Sequence, residues 1–406
     1  MKRATITVLA AGWCVSVATI GTAQVGAPAA GVGAQPAAGT PAAEAPKTEA
    51  ASADASPRPV DLVICLDTSG SMDGLIDAAR QRLWGIVSDL ATAKPRPALR
   101  VALLSFGNDG YSAEDGWVRV LQPLTTDLDE VSRQLFALRT NGGTEYVGRV
   151  VHKAVQDLDW SKDAGAMKLI VVAGNEGADQ DQTFTNPAVC ADAISKGIMI
   201  NTIYCGNPGD SIAPGWREVA RLADGEYAAI DQNKNDVIAT PHDQKLIELS
   251  AALNGTYVAY GPKGETATRN QTMQDSNAAS AAPAAAAERA SMKAGLLYRN
   301  ASWDLVDAVL TGEEKDRVKL DEVKAEDLPE ALRGKPAAEQ RAYLEAKLAE
   351  RTDLQRQIAA ETQKRDAFIE AERARTAQES GEKDFGSVLR EAVRRQAAKK
   401  GFVWEK

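Results

Sequence analysis

The sequence contains one stretch, Val60-Asp-Leu-Val-Ile-Cys-Leu-Asp-Thr-Ser-Gly-Ser-Met72, whose apolar beginning is typical of a buried strand. The run stops at Asp67, which is followed by the hydroxyl residues Ser69 and Ser71. Residues 75–90 then show the apolar spacing of a helix. A strand, a turn and a helix in this order place the three side chains at the carboxyl end of a strand, where open α/β sheets bind ligands. Oxygen ligands of this kind suit Mg²⁺, so these three residues are candidate metal ligands.

The pattern Asp-x-Ser-x-Ser resembles the opening of von Willebrand factor type A (VWA) domains, whose metal-ion-dependent adhesion site begins with it directly after the first strand. In isolation the pattern most often marks a plain turn, because Asp and Ser cap helices and close turns on their own backbone. Here the family's later elements follow in order over roughly 200 residues, the size of one α/β domain. The resemblance, to the bacterial exported type, implies a VWA domain over residues 58–261.

The fold implied is α/β: a doubly wound, mainly parallel six-stranded sheet flanked by helices, with a Rossmann-like architecture. Apolar runs alternate with amphipathic segments through these residues, as such a sheet requires. The antiparallel edge strand of the family corresponds to residues 118–121. The six predicted strands are residues 60–66, 99–106, 118–121, 168–173, 199–204 and 227–230.

Two further elements of the family's metal site can be placed. Thr144, after Asn141-Gly-Gly, matches the family's threonine ligand, although a threonine here would also serve as an ordinary helix cap. After the fourth strand the family usually has an aspartate, whereas this chain has Gly174 or Asn175, depending on the register. The acidic residues that follow would reach the site only if the loop folds back; they are Glu176, Asp179 and Asp181.

Loss of one carboxylate weakens the field on a divalent ion. We therefore expect Mg²⁺, Mn²⁺ or Ca²⁺ to bind weakly, or the site to be vestigial, and we expect a bound ion to be held more tightly when an acidic partner is present. The predicted metal ligands are Asp67, Ser69, Ser71, Thr144 and Asn175.

The regions before the domain indicate export. Residues 1–23 combine a basic start, an apolar run and Gly-Thr-Ala, the pattern of a cleaved signal peptide, and the run is short and polar for a membrane anchor. We therefore expect a mature protein that lacks a stable membrane span and is periplasmic, envelope-associated or secreted. Residues 24–57 are rich in Ala and Pro and predict a disordered tether. The net charge of −9 argues against a nucleic-acid partner.

Three cysteines remain after the signal peptide, an odd number in an oxidising compartment. Cys190 at the start of a helix and Cys205 at the end of the next strand belong to one helix–strand unit, so they are the predicted disulfide. Cys65 lies within the first strand and reads as a small buried hydrophobe.

The sequence shows none of the catalytic patterns that can be tested by motif, neither a Ser-His-Asp order nor a Walker-type loop. The two histidines, His152 and His242, are far apart and read as surface or packing residues. We therefore expect a protein that is not an enzyme and has no catalytic residues.

The remainder of the chain divides into a linker over residues 262–290 and a helical region over residues 291–406. Ser302 is a plausible N-cap for the first helix. Residues 337–377 predict one long polar helix whose sparse apolar positions do not sustain a heptad. We therefore expect it to pack against neighbours or a partner rather than to form a stable coiled coil.

These features predict an exported protein that binds another protein, with a divalent ion bridging to an acidic side chain of the partner. Partner specificity would reside in the loops at residues 108–117, 174–186 and 206–215, although surface turns without a binding role have the same composition. Two alternatives stay open. One is a structural cell-envelope scaffold with a vestigial metal site, assembled through its C-terminal helix, and the other is a hydrolase with an unrecognised site.

Overall fold

The apolar runs of the sequence form a six-stranded sheet in the order β4-β3-β1-β5-β6-β7. The structure, a computed structural model, describes residues 57–231, 238–312, 314–377 and 385–404, so the predicted signal peptide and nearly all of the predicted tether lie outside the described residues. All strands of this sheet are parallel except β4, which pairs with β3 in antiparallel fashion at the edge, as predicted. The strands are β1 (Arg58–Asp67), β3 (Pro97–Phe106), β4 (Val118–Thr125), β5 (Met167–Gly174), β6 (Ile198–Tyr204) and β7 (Tyr227–Ala229), and a separate two-stranded ribbon joins β2 (Ala93–Lys94) to β8 (Val403–Trp404).

The central strand β1 is buried on both faces, which explains why its sequence is almost continuously apolar. Successive side chains alternate between the faces. Leu62, Ile64 and Leu66 enter one apolar cluster, whereas Val63 and Cys65 enter the other. The fold is therefore three-layered, with helices on both sides of the sheet.

The helices divide between the two faces. The cluster that contains Leu62 is completed by side chains from α1 (Asp73–Ala91), α2 (Leu128–Ala137), α7 (Gly264–Ala281), α8 (Pro283–Ala294) and α11 (Phe385–Lys399). The cluster that contains Val63 is completed by α3 (Val147–Asp157), α4 (Asn186–Ser195) and α5 (Ala213–Leu222). The Asp127 carboxylate caps α2, because it accepts a hydrogen bond of 3.0 Å from the Glu130 amide.

The predicted linker at residues 262–290 is wrong, because α7 and α8 occupy most of it. These helices contain few large apolar residues, but α8 buries four consecutive alanines, residues 284–287, which let neighbouring helices approach closely. Their buried polar side chains have partners: Gln274 accepts a hydrogen bond of 2.9 Å from Ser132, and Arg289 forms an ion pair of 2.7 Å with Asp129.

The long polar helix over residues 337–377 is confirmed as α10 (Ala337–Ala377). It packs against α6 (Asp243–Asn254), α8 and α9 (Leu305–Leu310). Two of its buried residues are arginines that form ion pairs, Arg351 with Asp304 and Arg365 with Asp243, each at 2.8 Å. The N-cap of α9 is Asp304 rather than the predicted Ser302, because the Asp304 carboxylate accepts the hydrogen bond from the Asp307 amide.

The predicted Cys190–Cys205 disulfide is also wrong, because Cys65, Cys190 and Cys205 are all free and buried. Cys190 lies in the cluster on one face of the sheet and Cys205 in the cluster on the other, so the sheet separates the two thiols. Burial raises the pKa of all three thiols, that of Cys190 to about 11. None of the helices within the described residues combines the length and the apolarity that crossing a membrane requires.

Candidate metal centre

The carboxyl end of β1 places Asp67 at the middle of the sheet edge, between the ends of β3 and β5. Its carboxylate is fully buried. The Ser69 amide donates a hydrogen bond of 2.8 Å to Asp67 Oδ1, which bends the chain so that the hydroxyls of Ser69 and Ser71 come within 3.3 Å of each other. The structure thus brings together the three oxygen-bearing side chains of the first motif.

The glycine turn after α2 is tied to this loop by the backbone. The Asn141 amide donates to the Thr68 carbonyl at 3.0 Å, and the Gly70 amide donates to the Gly142 carbonyl. These bonds bring Thr144, which is half-buried, and the residue after it, Glu145, to the side of the Asp67 loop.

The register after β5 identifies the residue at the position of the missing aspartate. Gly174 ends the strand so close to Asp67 that a Cβ at residue 174 would lie 3.0 Å from Asp67 Oδ2, a tight contact that would require the neighbouring side chains to shift. Asn175 is the residue whose side chain reaches the site, and its amide nitrogen donates a hydrogen bond of 2.9 Å to Ser71 Oγ. Asn175 therefore orients a serine hydroxyl instead of supplying a carboxylate.

The acidic residues of the next loop do not replace that carboxylate. Glu176 and Asp179 are exposed. Asp181 is buried, but it forms an ion pair of 2.9 Å with Arg149 and accepts hydrogen bonds from the amides of Thr183 and Phe184. His152 stacks on Phe184 with ring centroids 4.1 Å apart, which makes it a packing residue, as expected.

Glu145 is the site residue that sequence reasoning missed. It is 6% exposed, and its Oε2 atom has no hydrogen-bond partner among the described residues. A Cβ at Gly107 would lie 2.7 Å from Glu145 Cγ and 2.8 Å from Asp67 Oδ1, so only a glycine lets the two acidic side chains approach across the end of β3. The φ angle of +73° at Gly107 also favours glycine.

The environment of the centre disfavours the charged form of both acidic side chains. Burial raises the pKa of Asp67 to about 6, and hydrogen bonding from Ser69 opposes the rise only in part. Burial, and then the Asp67 charge, raise the pKa of Glu145 to about 8. Three buried oxygens here have no hydrogen-bond partner among the described residues, namely Asp67 Oδ2, Glu145 Oε2 and Asn175 Oδ1.

Such a set of oxygens fits a hard divalent cation, which prefers carboxylate, hydroxyl and amide oxygens. The described part of the chain contains no group of three or more His, Cys, Asp or Glu residues that could hold a metal. The centre instead has two carboxylates, and its remaining candidate ligands are serine, threonine and asparagine side chains.

Residues 61–213 match the family model of the von Willebrand factor type A domain. These residues run from β1 to the start of α5 and include all the candidate ligands, so this part of the chain has the VWA fold and is followed by a helical C-terminal region. A comparison with curated proteins finds no match.

Several solved structures are similar to part of the chain. An aerotolerance-related membrane protein from Bacteroides fragilis NCTC 9343 is 18% identical over 43% of this chain and 93% of its own, with a TM-score of 0.29. The pilus adhesin SpaC from Lactobacillus rhamnosus GG is 16% identical over 43% of this chain and 28% of its own, with a TM-score of 0.33. Proximal thread matrix protein 1 from the mussel byssus, with a zinc-occupied MIDAS motif, is 11% identical over 44% of this chain and 43% of its own, with a TM-score of 0.34.

Proposed function

We propose that this chain is an exported, non-enzymatic binding protein. Its VWA domain would hold a divalent cation, preferentially Mg²⁺, and present it to a carboxylate of a partner protein. The ion would be held by Asp67, Ser69, Ser71 and Thr144. The observation that carries the proposal is the group of three buried oxygens without hydrogen-bond partners at the carboxyl edge of the sheet. A bound ion supplies a Lewis-acid position that a carboxylate from outside can complete.

The cost of burial supports a cation at this place. A buried carboxylate oxygen without a hydrogen bond or a counter-charge is strongly disfavoured. Two such carboxylates next to each other are disfavoured further, because their charges repel. A cation between them removes both penalties, which gives the protein a physical reason to bind one.

The surface around the centre indicates what kind of partner would bind. The loops that surround the site, residues 108–117, 174–186 and 206–215, contain no Lys or Arg. Apart from the buried Asp181, which is paired with Arg149, their acidic residues are Asp109, Glu114, Asp115, Glu176, Asp179 and Asp210. A partner that brings a carboxylate to the ion must therefore bring basic residues beside it, because its own acid would otherwise be repelled by the rim. The partner surface we propose is one acidic side chain surrounded by Lys and Arg.

The packing of α10 favours this function over a scaffold that assembles through the long helix. Its apolar residues Leu344 and Ile358 are buried against other helices of the same chain. Among the described residues, the exposed large apolar side chains are Ile194, Met273, Leu296 and Val403, which all lie outside α10. An assembly interface along α10 would have to be polar.

Protein capture from envelope extract tests the proposal. The immobilised chain should retain a partner in Mg²⁺, release it in EDTA, and release it progressively as salt is raised, since acidic and basic surfaces attract less when screened. The immobilised Asp67→Asn variant should retain no protein in Mg²⁺ that it does not also retain in EDTA. The matched control is Asp163→Asn, which removes an exposed carboxylate from the loop before β5, at the opposite edge of the sheet. Retention that is indifferent to EDTA and to Asp67→Asn would refute the metal-bridged function.

A further inference from the structure

We propose that Glu145 is the second carboxylate ligand of the divalent ion and takes over the role that an aspartate after β5 would otherwise have. The inference rests on the proposed metal site. It assigns a ligand from a loop that enters from the other side of Asp67, at the amino end of α3.

The first observation is that Glu145 is buried at the site and that one of its carboxylate oxygens has no hydrogen-bond partner among the described residues. The residue is 6% exposed, lies two positions before α3 begins, and faces Asp67 across Gly107. Its Oε2 has no hydrogen-bond partner within the described residues, as is true of Asp67 Oδ2. The two oxygens without partners therefore belong to side chains that lie on either side of Gly107, where β1 and β3 end.

The second observation is how this protein treats its other buried acids. Each of them is neutralised by an arginine at hydrogen-bond distance. Within the described residues the pairs are Asp61 with Arg100, Asp129 with Arg289, Asp181 with Arg149, Asp243 with Arg365, and both Asp304 and Asp307 with Arg351, with distances between 2.7 and 3.0 Å. Asp67 and Glu145 are buried to a similar degree, but Asp67 Oδ2 and Glu145 Oε2 have no hydrogen-bond partner among the described residues. A cation from solution is the counter-charge that would complete the pattern.

The charge count then matches a divalent ion. Two carboxylates neutralise a charge of two, whereas Asp67 alone would leave one positive charge unbalanced. This removes the reason for expecting weak binding that the missing aspartate gave. It also explains how Asn175 can occupy the position after β5, since its amide is used to orient Ser71.

Titration of the chain with Mn²⁺, followed through the EPR signal of the free ion, tests the assignment. Glu145→Gln keeps the shape of the side chain and removes its charge, and we expect it to weaken Mn²⁺ binding on the order of 10- to 100-fold, the range known for loss of a supporting group in a metal site. The matched control is Glu176→Gln, which removes an exposed carboxylate at the same edge. Its effect should stay below about threefold, because an exposed charge is screened by water and salt.

A second variant returns the carboxylate to the other side of the site. In Glu145→Gln combined with Asn175→Asp, we expect most of the lost affinity to be recovered, because the charge count at the ion is restored. Loss of binding through misfolding would be visible as a lower melting temperature in EDTA, whereas we expect Glu145→Gln to melt no lower than the wild type.

The outcomes separate this inference from the proposed function. If Asp67→Asn abolishes Mn²⁺ binding but Glu145→Gln binds as tightly as Glu176→Gln, the metal site stands and the assignment of Glu145 is wrong. If the wild-type chain itself leaves the free Mn²⁺ signal unchanged, the proposed metal site is refuted, and the assignment of Glu145 falls with it.

Discussion

Glu145 and Asp67 make the metal-free protein sensitive to pH. Both carboxyl groups have a raised pKa in the folded state, Glu145 about 8 against an ordinary 4.5 and Asp67 about 6 against 3.8. An acid with a raised pKa keeps its proton in the folded state while the unfolded chain has already lost it. The folded state is therefore favoured at low pH, and this stability is lost as pH rises from about 4 through about 8.

Glu145→Gln should remove most of this dependence. In EDTA, the wild-type chain should lose stability between pH 5 and pH 8, and the variant should lose less and be the more stable of the two at pH 8. The measurement is the midpoint of urea denaturation at both pH values. If the denaturation midpoint falls by the same amount between pH 5 and pH 8 in both proteins, Glu145 titrates normally and is not held in an unfavourable environment.

Sequence reasoning found Asp67, Ser69 and Ser71 because these residues are close together in the chain, and the structure confirms that they meet. It missed Glu145 because the burial of this residue depends on three loops that approach one another only in the folded protein. The glycine at residue 107 is the local sign of that approach, since it leaves space for both acidic side chains. A single sequence gives no way to distinguish such a glycine from one in an ordinary turn.

At the scale of elements, α7 and α8 show how polar residues can build a packed layer. Arg289 is 1% exposed and forms ion pairs with Asp129 on α2 and Asp275 on α7, and Lys293 is 0% exposed and pairs with Asp275 at 2.9 Å. Composition alone made this region resemble a linker, because its partners lie on elements distant in sequence. In α10 likewise, two arginines, Arg351 and Arg365, occupy positions that face the core.

Arg289→Ala should therefore be strongly destabilising, by about 3–5 kcal/mol, since it leaves the buried Asp129 without its counter-charge. The matched control is Arg133→Ala, which breaks an ion pair with Glu130 in α2 whose arginine side chain is 50% exposed, and it should cost less than about 1 kcal/mol. Urea denaturation measures both. A small effect of Arg289→Ala would mean that α8 is not fastened to α2 through this pair.

At the scale of the whole molecule, the last described residues pack against the central sheet and its helices. Phe402 is 1% exposed within the apolar cluster on the α1 face of the sheet, and the Gln396 side chain exchanges hydrogen bonds with that of Asn201 in β6. A fragment that ends at residue 261 lacks this cover. The six strands and the antiparallel edge strand followed from periodicity and family resemblance, but the return of residues 385–404 to the sheet did not.

Phe402→Ala should lower the free energy of unfolding by about 3–5 kcal/mol, the cost of deleting a buried aromatic side chain. Its neighbour Val403 is 59% exposed, so Val403→Ala should change stability by less than about 0.5 kcal/mol. Chemical denaturation of the full chain distinguishes the two. Equal effects would contradict the docking of the C-terminus on the sheet.

The proposed function depends most directly on whether the Asp67 centre binds a divalent ion, and thermal unfolding in EDTA and in saturating Mg²⁺ measures this on the full chain. We predict that the wild-type melting temperature rises with Mg²⁺, since binding to the folded state alone contributes about 2.7 kcal/mol at a hundredfold excess over the dissociation constant. The melting temperature of Asp67→Asn should be the same in both conditions. A wild type that fails to respond to Mg²⁺, or a variant that responds as strongly as the wild type, would contradict the account.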